Sequence, residues 1–300
     1  MIVTRLLSRL SQNGGQHIDY DSLLPPVPFC AGIPKRIVQT CRDKESLPEE
    51  IQSNISAMRS TNTDWTYSLF DDSMILEYIK SVYGDRILAY YSRISPEYGA
   101  AKADLFRYLY IYHEGGVYID IKSTITKPLS EGLLPDDSFI LSYWDNLEGE
   151  RHFGTGHYSD VFNDFPRGEI PQWFIVAAKG HPVLRDVIIN VLENIDNYNP
   201  YVNGVGWTGT VFTTGPVPYS LTIYNNIDKY PYRLVNAFSD LGLVYSVYEG
   251  INSDKTFHAK AIKSDYRKGR TPIIRHKSHV INIVNEWYLR AMVRYGDRRG

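Results

Sequence analysis

Between Gly116 and Ser123 the chain alternates: Val117, Ile119 and Ile121 are apolar, and Tyr118, Asp120 and Lys122 stand between them. A period of two predicts a short strand that turns one set into a core and carries a carboxylate and an ammonium on its other face. Upstream the period lengthens. Tyr98, Ala101, Leu105, Tyr108 or Leu109, and Tyr112 recur at helical spacing, which predicts a helix over 96–113 ended by a left-handed cap at Gly115 and Gly116. Asp104 and Arg107 are three apart on that helix, so they share a face, off the apolar stripe and near the glycine pair. Elsewhere "RIVQT" (36–40) and "WTYSLFDD" (65–72) read as strands, and the paired aspartates of the second can start the helix "SMILEYIKSVYG". "SFILSYWD", "WFIVAAKGHP" and "LGLVYSVYE" are strand-like, and "HPVLRDVIINVLENI" begins a helix with Pro182 near its first turn. Strands alternating with helices argue for an α/β domain on a largely parallel sheet, whose ligands sit at the carboxyl ends of the strands. The proline-dense stretch before Ile33 marks residues 1–33 as an N-terminal arm and 34–300 as the domain.

Composition narrows the function. With 32 basic and 34 acidic residues and no long run of either sign, the chain lacks the electrostatic footprint of a nucleic-acid binder. Two cysteines, Cys30 and Cys41, have no metal-ligand spacing and suit a reducing compartment. No apolar run approaches the roughly 20 residues that cross a bilayer, so a cytoplasmic enzyme is expected, with peripheral contact at the inner membrane face left open. Ile2, Leu6, Leu7 and Leu10 can share one helix face flanked by Arg5 and Arg9, which fits either a terminal helix packed on the domain or one lying on a membrane surface.

Asp104, Arg107, Asp120 and Lys122 could be two ordinary ion pairs or one converging site. The block "KADLFRYLYIYHEGGVYIDIKSTITKPL" resembles the sugar-binding core of glycosyltransferase family 32, whose members include mannosyl-, galactosyl- and capsular polysaccharide glycosyltransferases. Asp104, Arg107, Gly115, Gly116, Val117 and Tyr118 match that pattern, and Asp120 matches the first aspartate of its Asp-X-Asp motif. Further echoes follow in order: "IPKRIVQTCRDK", "NTDWTYSLFDD", "AAKGHPVL", "TTGPVPYS" and "RHKSHVINIVNEWY". The resemblance implies a GT-A type, Rossmann-like nucleotide-sugar-binding fold and transfer that retains anomeric configuration. It implies that Asp104, Arg107 and Tyr118 serve the donor sugar, that Asp120 contacts ribose, sugar or metal, and that Pro34 and Gln39 border the nucleotide. Trp65 would lie near the base or simply fill the core.

One departure carries the most chemistry. Lys122 replaces the second motif aspartate, a usual ligand of the divalent ion, Mn2+ or Mg2+, beneath the diphosphate. At about 4 Å and an effective dielectric near 20, one unit-charge contact is worth about 4 kcal/mol, so a lysine replaces part of such an ion's effect. It would need help from Arg107, Lys260, Lys263 or Arg275. Three roles stay open for Lys122: stabilising the diphosphate without metal, orienting Asp120 while a metal binds, or marking a site that only binds. If a metal binds, Asp120 and a late histidine are its candidates, His279 fitting the spacing to Trp287 better than His276. Trp144, Asp145, Gln172, Trp173 and Trp207 suit the acceptor side, because aromatic faces and small polar groups fit sugar rings. The expected function is a retaining hexosyltransferase moving a hexose from a UDP- or GDP-sugar to a glycan or lipid-linked glycan, with Asp120, Lys122 and Arg107 as its catalytic groups. The alternative is a non-catalytic nucleotide-sugar or glycan binding module.

Overall fold

The computed structural model describes residues 18–248 and 266–296, apart from 157–160, 163 and 166. The amphipathic start of the chain, and Lys260 and Lys263, lie outside the described residues.

Strand β1 (Arg36–Thr40) leads through helix α1 (Glu49–Thr61) to β2 (Thr66–Phe70), and the two strands pair in parallel from Arg36 opposite Thr66 to Thr40 opposite Phe70. Helix α2 (Asp72–Arg93) starts where the paired aspartates suggest, because the Asp71 carboxylate accepts from the backbone N–H groups of Ser73 and Met74. Helix α3 (Gly99–Glu114) follows, then β3 (Gly116–Ile119), parallel to β1. After it come β4 (Thr124–Ile125), β5 (Phe139–Leu141) and β6 (Phe174–Ala177). Helices α4 (Pro182–Asn197), α5 (Gly206–Thr213) and α6 (Pro216–Asn226) precede β7 (Arg233–Leu234), α7 (Ala237–Leu241) and β8 (Leu243–Val244), and α8 (His279–Gly296) is the last described element.

The central sheet has the order β2-β1-β3-β6-β5-β7; its two ends pair in parallel and β6 runs antiparallel to both neighbours. The expected α/β architecture with a mostly parallel sheet is therefore present, and β4 and β8 form a separate antiparallel pair. Within β3, Val117 and Ile119 pack with Ile37, Trp173 and Val176 on one face, and Tyr118 packs with Tyr108 and Ile175 on the other. Both faces are dry, as a strand covered by helices requires. Leu23 and Leu24, in the stretch expected to be an arm, are buried in the larger of these cores.

Two local expectations change. The strand stops at Ile119, and Ser123 donates from its backbone N–H to the Asp120 carbonyl at 2.9 Å, so Asp120 and Lys122 sit on a turn rather than side by side on a strand face. Gly115 and Gly116 both have positive φ, +67° and +104°, but ψ at Gly115 is −175°, an extended glycine conformation in place of a left-handed cap. At Gly116 a Cβ would lie 2.6 Å from the Arg36 carbonyl oxygen, so glycine is what lets β1 and β3 start together.

Candidate active site

The turn after β3 lies at the carboxyl ends of β1 and β3, and its peptide groups are fixed from three directions. The Asp120 N–H donates to the Trp173 carbonyl at 2.8 Å. Its carbonyl accepts from Ser123 N–H and, at 3.0 Å, from the Nε2 of fully buried Gln39, whose Oε1 in turn accepts from the Tyr67 hydroxyl at 2.8 Å. Gln39, expected to border a nucleotide, instead spends both ends of its amide holding the turn.

Beneath the turn, α3 supplies a charged strut. Arg107 Nη2 is 3.1 Å from Asp120 Oδ1 and 3.3 Å from Asp104 Oδ1, while Nη1 donates to the Gln172 carbonyl at 2.6 Å. The guanidinium lies 4.5 Å from the centre of the Tyr118 ring, and the Tyr118 hydroxyl donates to Asp120 Oδ1 at 3.0 Å. Asp104 also accepts from Thr214 Oγ1 at 2.9 Å and from Gln172 Nε2 at 3.2 Å. Both strut residues are buried: their side chains are 4% and 6% exposed for Asp104 and Arg107, against 23% for Asp120. The pair is closed off from solvent here by Gln172 and Thr214, which meet it from outside the helix.

Burial pushes the Asp104 carboxyl up to about 7, against the pull of Arg107 and Thr214, and the Asp120 charge adds to the push. Burial also disfavours the Arg107 guanidinium, but Tyr118, Asp120 and Asp104 outweigh it and hold that group above its ordinary value. One guanidinium shared by two carboxylates keeps its own charge and leaves the deeper carboxylate only partly neutralised.

Lys122 is engaged by Tyr245. Its ammonium donates to the Tyr245 hydroxyl at 2.7 Å and lies 3.9 Å from the centre of that ring. It forms no ion pair within 4 Å among the described residues. The segment around Tyr245 is locked beside the turn by the β4–β8 pairing, by Val247 N–H on the Lys122 carbonyl at 2.8 Å, and by Ser123 Oγ on the Tyr245 carbonyl at 2.6 Å. Tyr245 also stands edge-on to Trp144 at 5.1 Å, and near Trp173, in the wall of a cleft that Asp145 and His152 also line. Trp144 Nε1 donates to Glu169, whereas Trp173 Nε1 is buried with no hydrogen-bond partner among the described residues.

The structure thus brings together Gln39, Asp104, Arg107, Tyr118, Asp120 and Gln172, and sets Trp144, Asp145 and Trp173 beside Lys122 through Tyr245. Gln172, expected on the acceptor side, belongs to the strut. Pro34 packs against Gly115 and Trp65 precedes β2, so both lie at the amino ends of the strands, roughly 15 Å of strand from Asp120. Trp65 is 9% exposed among Ile37 and Met58, the core role, with Nε1 donating to Ser130. Trp207 is 41% exposed on the first turn of α5 and does not line the cleft. His279 is exposed at the start of α8, and His276 Nδ1 accepts from Ser278 N–H. Their segment is tied to the end of α2 by Arg275 N–H on the Arg93 carbonyl, and neither histidine is joined to Asp120. Thr214 lies within the "TTGPVPYS" echo but carries no role in the sequence reading, and Tyr245 is missed; they act across 110 and 123 residues.

The turn offers one acceptor and one donor group. Asp120 Oδ2 has no partner among the described residues, and Lys122 keeps two of its three N–H donors. A divalent cation fits these residues poorly: one carboxylate oxygen is offered, on a side chain already paired with the Arg107 guanidinium. No group of three His, Cys, Asp or Glu side chains among the described residues could hold one.

Residues 48–140 match the family model described as the glycosyltransferase sugar-binding region containing the DXD motif. Three curated relatives are similar to this chain. The initiation-specific alpha-1,6-mannosyltransferase of Candida albicans is 29% identical over 62% of this chain and 48% of its own length. The enzyme of the same name in Schizosaccharomyces pombe is 26% identical over 69% and 55%. The inositol phosphoceramide mannosyltransferase 1 of S. pombe is 28% identical over 53% and 43%. The chain thus spans about half the length of the curated relatives it matches. Among solved structures, the PaToxG glycosyltransferase aligns over 76% of both chains at 16% identity and a TM-score of 0.47. The UDP-bound glycosyltransferase domain of the YGT toxin aligns over 75% and 83% at 10% identity and 0.49.

Proposed function

We propose that this chain, a family-32-like glycosyltransferase, uses a GT-A type scaffold to move a hexose, mannose foremost, from a nucleoside-diphosphate sugar to a hydroxyl of a glycan or glycolipid. One observation carries the reading: at the carboxyl edge of the sheet, an unpartnered Asp120 oxygen and an ammonium with N–H donors to spare share one turn. The mannosyl chemistry in the relatives' names supports the sugar, and the inositol phosphoceramide in one of them supports a glycolipid among the acceptors.

In this reading Asp120 receives a hydroxyl of the donor. Asp104 and Arg107, sequestered beneath it, orient Asp120 rather than meeting the donor themselves. Lys122 offsets charge that develops on the departing diphosphate, held in place by Tyr245. The acceptor lies against Trp144, Trp173 and Tyr245, an aromatic wall that suits a sugar face. Its hydroxyl oxygen bonds to the anomeric carbon on the side from which the diphosphate leaves, and the hydroxyl proton passes to a diphosphate oxygen, which retains configuration. No step is assigned to a metal, because the residues present offer it a single carboxylate oxygen. The free thiols Cys30 and Cys41 suit the reducing, cytoplasmic setting expected from the sequence.

The test is release of nucleoside diphosphate from GDP- and UDP-sugars, with and without acceptor, in EDTA and again with manganese. Turnover that survives EDTA and is lost in Lys122→Ala supports the reading. Turnover only with manganese assigns the diphosphate charge to a cation instead of Lys122. Donor binding with no transfer to any acceptor of a glycan and glycolipid panel would leave a binding module.

A further inference from the structure

The last helix carries two faces. One docks on the domain: Asn285 is 9% exposed and accepts from the Tyr201 hydroxyl at 3.0 Å, and Tyr288 meets the Tyr201 ring edge-on at 5.0 Å. Its start is fixed by Asn282, which exchanges hydrogen bonds with the backbone N–H and carbonyl of His276 at 2.6 and 2.8 Å. The other face is an apolar stripe in solvent. Val280, Ile283, Val284 and Trp287 follow one another at steps of three, one and three residues and are 69%, 57%, 47% and 71% exposed. A docked helix has no need of a second apolar row, and four large side chains aligned at this spacing are a surface waiting for something.

Charge says what. Residues 275–300 hold six Lys and Arg against two Asp and Glu, in a chain that is slightly acidic overall. Seven residues after Ile283 and Trp287 come Arg290 and Arg294, so on the same helix the apolar row gives way to basic positions. Apolar side chains with a tryptophan among them, flanked by arginine and lysine, are the composition of a helix that lies in the plane of a membrane surface. A second protein fits less well, since a stable interface takes about 20–30 residues a side and the stripe offers four.

We propose that α8 is an in-plane membrane contact: Val280, Ile283, Val284 and Trp287 enter the headgroup boundary of an anionic lipid surface, and the net positive charge of the segment draws the helix to it. This surface does not depend on the transferase reading, but it would bring the Asp120 turn to a lipid-borne acceptor.

The test is co-sedimentation of the full chain with phosphatidylcholine vesicles, with and without phosphatidylserine, for the native protein and for Ile283→Ser/Trp287→Ser. Native protein should partition onto the anionic vesicles, less so as salt rises, and the double variant about tenfold more weakly. Its thermal midpoint and its turnover on a soluble acceptor should stay native, since both side chains stand in solvent away from the site. Native protein indifferent to anionic vesicles, or binding unchanged in the variant, would overturn the proposal. So would a native dimer by light scattering that the variant converts to monomer, which would give the stripe to a second copy of the chain.

Discussion

Replacing Arg107 by methionine keeps most of the side chain's length and removes the charge that two carboxylates share. Asp104 and Arg107 are almost wholly enclosed. Breaking a buried pair from one side costs about 3–5 kcal/mol, because the remaining charge has neither partner nor water. That cost applies only while Asp104 is ionised, and its carboxyl titrates at about 7. Losing Arg107 removes a pull that lowers that value, so in the variant the orphaned carboxyl keeps its proton to higher pH; where it is protonated in both proteins, the loss shrinks to the Asp120 contact and the hydrogen bonds given up at the Gln172 and Ala103 carbonyls, about 1–3 kcal/mol. Urea unfolding at about pH 6 and about pH 8.5 measures both regimes, with an unchanged denaturant slope showing that the unfolded state is comparable. The destabilisation should be the larger at the alkaline value, and adding Asp104→Leu should recover part of it. A loss below about 1 kcal/mol, or one equal at the two pH values, would refute the strut.

Asp104→Asn tests the same carboxyl through linkage. In the native protein it holds a proton that the unfolded chain has released from 3.8 upward, so its contribution falls as pH rises from 3.8 to about 7. His181, lowered to about 4 by burial, has the opposite slope, its contribution falling as pH drops from 6.5 to about 4. The variant should lose the first slope and keep the second, read from thermal midpoints across that range. Tyr245→Phe should leave the circular dichroism spectrum intact and lower kcat about tenfold, the worth of a hydrogen bond to a charged group, with KM for donor less affected; an unchanged kcat would remove Tyr245 from the proposed role. Gly116→Ala should destabilise by about 1–3 kcal/mol from its positive φ alone, and more from the 2.6 Å approach to Arg36, as seen in the urea midpoint.

What the sequence revealed was local. "RIVQT" is β1 to the residue, and the helix read over 96–113 is α3 with its ends moved by one to three positions, because a five-residue alternation and a helical repeat are written in neighbours. The matching of Asp104, Arg107 and Asp120 as one group also holds, since α3 runs straight into β3 and a rigid helix-turn-strand leaves little freedom. The length of β3 was misread. Ile121 continues the alternation, but the ladder ends where Asp120 bonds to Trp173 and the chain turns back at Ser123, a tertiary event with no mark in the pattern. Asp104 and Arg107 lie off the apolar stripe, a place that by itself leaves an ordinary helical ion pair and a converging site both open. They are buried because Gln172 and Thr214, 68 and 110 residues after Asp104, close over that side. The resemblance puts Pro34 at the nucleotide and leaves Trp65 between the base and the core; their places at the amino ends of the strands, with Trp65 in the core, follow from sheet topology.

The bond between Lys122 and Tyr245 also has a history in time. The two residues are 123 positions apart, so a chain made at about 5–20 residues per second carries Lys122 for roughly 6–25 s before Tyr245 is synthesised. The sheet can begin to pair within that interval, from β1, β2 and β3 alone. The electrostatics of the turn cannot be completed. Assembly of the ammonium with its aromatic partner is therefore a late step, and a chain halted before β8 would carry the matched 48–140 region intact and still lack the group that places its lysine.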